Sequence, residues 1–89
     1  MNELKNWTDV TRGLYRYVIA AGVCYEIHIM GWRKDCAVET AHARLYLVGD
    51  WVHSSGVDYF EREGLHEGSV YSCIKAASQD NEANNKDLK

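Results

Sequence analysis

The chain has 89 residues, of which 46% are hydrophobic and 26% charged, and a formal net charge of −3. This is the composition of one small folded domain. Its negative balance argues against a general affinity for nucleic acid or an anionic membrane, because both need an excess of Lys and Arg to meet phosphate. No apolar run approaches the roughly 20 residues that span a bilayer. The opening MNELKNWTDV has no apolar stretch of the kind a signal peptide carries, so the expected setting is the cytoplasm.

Residues 2–12 have Leu4, Trp7 and Val10 at intervals of three. That spacing suits a short helical turn leaning on the domain, or an arm anchored by Trp7, and Gly13 ends the segment. Residues 14–20 and 23–30 read as an antiparallel hairpin, since both runs alternate and a glycine separates them. A three-residue loop of Ala20, Ala21 and Gly22 places glycine where a left-handed residue is wanted. Ile19 then faces Val23, Tyr17 faces Tyr25 and Tyr15 faces Ile27. On the other side Arg16 lies opposite Glu26, a cross-strand ion pair of ~0.2–1 kcal/mol. A slip of one residue would exchange the two faces.

GWRKDCA, residues 31–37, reads as a connection. Residues 38–48 form a third strand, with Ala41, Ala43, Leu45 and Leu47 on one face and His42, Arg44, Tyr46 and Val48 on the other. The small alanines leave room for a bulky neighbour or a crossing helix. Gly49-Asp50 marks a bend and HSSG, residues 53–56, a loop. VDYFERE, residues 57–63, fits a fourth strand or a helical turn; its aromatic content and the following Gly64 favour the strand.

From Ser69 the hydrophobic period changes to 3.6. Val70, Cys73, Ile74 and Ala77 stand at i, i+3, i+4 and i+7, a single helical stripe. Ser69 suits the N-cap, where its hydroxyl accepts from an otherwise orphaned N–H. The polar DNEANNKDLK has little to bury, so the helix is expected to fray there. The layout is one domain over 1–89: an arm or short helix over 1–12, a sheet over 13–66, a helix over 69–82 and a frayed tail over 83–89. One apolar stripe and one apolar sheet face must cover each other. The fold class is therefore α+β, a small two-layer domain in which an antiparallel sheet of three or four strands packs on one C-terminal helix.

That packing turns Arg16, Glu26, His28, His42, Arg44 and Tyr46 outward on one sheet face, with Cys24 and Met30 nearby. A wet face of an antiparallel sheet is normally polar. Here it also carries Val18, Val48 and a tyrosine, the mixed character of a protein-contact surface, where Tyr and Arg are enriched. The expected partner is another protein or a second copy of the chain, met by the face or by an open edge. Since His28 and His42 share the face, binding there would respond to pH between about 5 and 7.

Other chemistries find less support. The three cysteines, Cys24, Cys36 and Cys73, are an odd number at irregular spacing, which is no disulfide framework. Cys24 and His28 share a strand face but stand about 13 Å apart along it, too far for one zinc ion. There is no C-x-x-C, and no cofactor is implied. A Cys24–His42 pair would need a cleft and an oxyanion hole that a small sheet with one helix does not offer, so no enzyme is expected. Two alternatives remain. One is a nucleic-acid binder stacking bases on the same Tyr and Arg groups, although no RNP-like run accompanies them. The other is a small thiol or metal protein using Cys24 or Cys36.

Taken together, TRGLYRYVIAAGVCYEIHI, ARLYLVGDW, FEREGL and CIKAASQDNE resemble small proteins of gut Bacteroidales, often encoded among mobile-element or prophage genes. The likeness covers most of the chain. It carries no activity, cofactor or catalytic residue with it, and implies an accessory protein that works through a partner in the cytoplasm.

Overall fold

The structure is a computed structural model that describes residues 2–20, 22–54 and 57–87, with side chains for those outside 50–61 and 84–87. Among the described residues five strands form one sheet: β1 (Thr8–Thr11), β2 (Leu14–Ala20), β3 (Val23–Gly31), β4 (His42–Ser54) and β5 (Val57–Ser69). They lie side by side in chain order, each antiparallel to its neighbour. Helix α1 (Val70–Asp87) follows β5 directly. Single 3-10 turns occupy Leu4–Asn6 and Val38–Thr40. The domain is thus the two-layer α+β arrangement expected, with more strands than the three or four foreseen.

The fifth strand is β1. The segment expected as an arm or short helix is a 3-10 turn followed by this strand. Its TDVT sequence is exposed throughout, so it has no apolar alternation to announce it. Pairing with β2 makes it a strand, and Gly13, at φ 83°, supplies the left-handed turn between them. Trp7 anchors the segment as anticipated: it is buried, and its ring lies 5.5 Å from that of Tyr17.

The β2–β3 register matches the expected one at Tyr15↔Ile27, Arg16↔Glu26 and Tyr17↔Tyr25. It departs at the turn. Ala20, not Ile19, pairs with Val23, and the ladder shifts between Val18 and Ala20. The extra residue thus sits in the strand as a bulge at Ile19 rather than in the loop. Gly22 has the expected left-handed φ, 75°; Ala21 lies outside the described residues.

The third expected strand starts later and runs further than read: Val38–Thr40 is a 3-10 turn, and β4 spans His42–Ser54. The expected bend at Gly49-Asp50 coincides with a break in register between Gly49 and Val52. Of the 53–56 loop, Ser55 and Gly56 lie outside the described residues. VDYFERE is strand, as favoured, and β5 continues through Ser69, beyond the expected limit at residue 66.

Helix α1 lays its stripe on the sheet. Val70, Cys73, Ile74 and Ala77 are all at most 1% exposed, against Tyr25, Ile27, Ala43 and Leu45, which are wholly buried. Ala43 leaves the helix room to approach β4, and the Cys73 thiol lies 3.7 Å from the Ala43 carbonyl. The helix start is well capped. Ser69 Oγ accepts from the Ser72 N–H at 3.0 Å, and the Val70 N–H donates to the Ala41 carbonyl at 2.9 Å. Further along, the buried Tyr25 hydroxyl donates to Asp80 at 2.6 Å. The helix continues to Asp87 where fraying from residue 83 was expected; Leu88 and Lys89 lie outside the described residues.

Candidate functional site

The face turned away from α1 is not simply wet. Glu26 on β3 is 2% exposed there, and Cys24 and Val48 beside it are buried too. Three side chains from three strands close over the carboxylate. Arg16 Nη2 of β2 donates to Oε2 at 3.3 Å, His28 Nε2 of β3 approaches Oε1 at 2.9 Å, and Arg62 Nε of β5 donates to Oε1 at 3.4 Å. Because a carboxylate only accepts, the His28 Nε2 atom carries its proton in this contact. Tyr46, the register partner of Glu26 on β4, sets its ring edge-on to His28 at 4.8 Å.

Burial alone would push the Glu26 carboxyl up. Hydrogen bonds from His28, Arg62 and Arg16 outweigh it and hold the group below its ordinary value. Cys24, next to it, is pushed up by burial and then by the Glu26 charge, so its thiol stays protonated and is a poor nucleophile. Cys73 is pushed up to about 11 by burial in the core, in keeping with a small buried hydrophobe.

A second cluster lies further along the same face. Arg44 Nε donates to Glu67 Oε1 at 2.7 Å, and His42 Nε2 stands 3.3 Å from Glu67 Oε2. All three side chains are about half exposed. The Arg44 hydrogen bond lowers the Glu67 carboxyl and raises the Arg44 guanidinium in turn. The six residues singled out from the sequence therefore share a face but divide in two: Arg16, Glu26, His28 and Tyr46 in one group, His42 and Arg44 in the other.

Sequence reasoning missed Arg62 and Glu67, which complete the two groups. Arg62 is opposite Val48, and Glu67 is opposite Arg44. They are five apart, so simple alternation puts them on opposite faces. The register shift between Leu45 and Tyr46 leaves Leu65 as an extra residue and reverses the parity between them. The detectable signal was the Gly64 beside Leu65, a common mark of a bulge.

Between the clusters lies a depression of about 290 Å³ lined by Arg44, Leu45, Tyr46, Gly64, His66 and Glu67. His66 Nε2 is 3.0 Å from Ser72 Oγ, but the Ser72 hydroxyl donates its proton to the Ser69 carbonyl at 2.8 Å. The serine therefore accepts from His66, the reverse of an activated nucleophile. Gly68 permits this contact. A Cβ there would come within 2.6 Å of Ser72 Oγ and 3.1 Å of His66 Nε2.

Among the described residues no group of three or more His, Cys, Asp or Glu is placed to hold a metal ion. No helix among them is long and apolar enough to cross a membrane. No protein-family model, no curated protein and no solved structure matches the chain.

Proposed function

We propose that this protein is a small non-enzymatic binding module, an accessory protein of the bacterial cytoplasm that engages a protein partner through the sheet face opposite α1. One observation carries this reading: Glu26 is buried on a face with no helix over it among the described residues, and it fixes Arg16, His28 and Arg62 in place. A partner then meets arginines already ordered, which reduces the side-chain entropy lost on binding. Val18, 65% exposed on the same face, supplies apolar contact beside them. Tyrosine and arginine together are the residue types that dominate contact energy.

The test compares the wild-type protein with an Arg16→Ala, Arg44→Ala, Tyr46→Ala variant, both shown to be folded, as baits in host lysate. A protein retained by wild type and lost by the variant supports the reading. Equal capture by both baits overturns it. A captured nucleic acid whose affinity falls steeply with salt would replace the protein partner with a phosphate-bearing one, and concentration-dependent dimerisation lost in the variant would make the partner a second copy.

A further inference from the structure

The two edges of the sheet are unequal. β1 is four residues long, a length that blunts an edge, whereas β5 runs for thirteen. Among the described residues no strand lies on the outer side of β5. The charges along this edge match themselves. Arg62 and Glu67, opposite Val48 and Arg44, belong to the open face; Glu63 and His66, opposite Leu47 and Leu45, belong to the helix side. When two identical strands pair antiparallel, a two-fold axis perpendicular to the sheet relates the copies, so opposed side chains must share a face. Setting Gly64 opposite Leu65 of a second copy meets that condition. Arg62 then opposes Glu67 of the second copy and Glu63 opposes its His66, and the symmetry makes each pair twice. Residues 62 and 67 share a face only because Leu65 is an extra residue in the ladder. Registers confined to one side of Leu65 fare worse: centring on Arg62, Glu63 or Glu67 sets that charge against its own copy, which is unfavourable.

We infer that β5 pairs with β5 of a second copy of this chain, joining two five-stranded sheets across a two-fold axis between Gly64 and Leu65. The existing contacts stay in place. Arg62 keeps Glu26 and Glu67 keeps Arg44, and both side chains are about half exposed, 48% and 51%, so each has an outer side for the second copy. Glu63 is exposed, and its carboxylate has no ion pair or hydrogen bond among the described residues. The axis puts both α1 helices on one side of the joined sheet and both Glu26 groups on the other. A protein partner with two matching sites would then be held at both, with a gain in avidity. The pairing itself uses the edge and not the open face, so it does not depend on the protein-binding reading above.

The experiment is sedimentation equilibrium of the full chain over a range of concentrations, with folding of each protein checked by circular dichroism. Wild type is expected to pass from monomer to dimer as concentration rises. Two variants carry the register. Glu63→Arg removes the acid that faces His66, and His66→Glu places acid against acid; each alone should weaken the dimer about tenfold or more. Mixed in equal amounts they should recover a heterodimer, because the new arginine of one chain meets the new glutamate of the other while the remaining Glu63 and His66 still face each other. Arg33→Gln, on the β3–β4 loop at residues 32–41, should leave dimerisation within about twofold. Wild type that stays monomeric up to about 1 mM would overturn the pairing. Both variants dimerising as well as wild type, or a mixture no tighter than either variant alone, would overturn it too. A dimer that survives Glu63→Arg but is lost in Tyr46→Ala forms through the open face, which would also overturn the edge. The two readings fail separately: capture of a protein by a monomeric chain keeps the binding module and removes the edge dimer, and a dimer with the expected charge response that captures nothing does the reverse.

Discussion

Glu26 and Glu67 sit on the same side of one sheet, and each gathers an arginine and a histidine, yet they are different objects. Glu67 has the shorter bond, 2.7 Å to Arg44, but is half exposed. Glu26 has longer bonds, 3.3 and 3.4 Å, to its arginines but is 2% exposed. The distances alone would rank them wrongly. Water competes for every contact Glu67 makes, and an exposed pair adds little to stability. Glu26 has given up its water, so its three contacts must replace a hydration shell, and losing them leaves polar groups stranded. Glu67 decorates the face, whereas Glu26 is part of its structure.

The sharpest test of that contrast replaces each acid in turn. Glu26→Ala should lower unfolding free energy by about 3 kcal/mol, read as a large drop in the urea midpoint, while Glu67→Ala leaves the midpoint nearly unchanged. Equal shifts would erase the distinction. A neighbour of Glu67 behaves otherwise. Gly68→Ala drives a methyl against Ser72 Oγ and His66 Nε2 and should destabilise by about 1–3 kcal/mol; a silent substitution would show that the helix start can move away freely.

Acid tests the buried carboxylate next. Folded Glu26 titrates below its ordinary value, so between the two values the folded protein binds fewer protons than the unfolded chain. Its stabilisation is whole above the ordinary carboxylate pKa, about 4.3, and fades as pH falls through the lower folded value. Urea unfolding between neutral and acid pH should therefore fall less steeply in Glu26→Gln than in wild type. The same slope in both proteins would remove the role assigned to its three donors. The smallest effect is expected from a double-mutant cycle on Arg44 and Glu67. Any coupling should vanish toward 1 M salt, where the screening length is about 3 Å; coupling that persists would place that pair with Glu26 rather than against it.

What could be read from the sequence depended on whether a local pattern spoke for itself. The β2–β3 pairing did, because alternation and Gly22 agreed on one register through Arg16↔Glu26. The α1 stripe and its Ser69 cap did too. β1 did not, since its residues are exposed and only the neighbouring β2 makes them a strand. Arg62 and Glu67 were hidden by the Leu65 irregularity, which no two-residue period can anticipate. The burial of Glu26 was hidden for a related reason. Its cover comes from three side chains on three strands, two of them distant in the chain, and hydrophobic patterning marks any carboxylate as solvent-facing.

The Val70 N–H bond to the Ala41 carbonyl, and the Tyr25 hydroxyl bond to Asp80, have a consequence for the order of events during synthesis. A ribosome makes the five strands first, and they can pair one after another because each lies beside its predecessor. The apolar side of that sheet, with Ile27, Ala43 and Leu45, stays bare until residues 70–80 have left the exit tunnel. A nascent chain stalled before that point is a half-clothed sheet, the state most prone to clump with its neighbours or to recruit a chaperone. The lifetime of this vulnerable state is therefore the interval between pairing of the last strand and docking of residues 70–80 on the sheet.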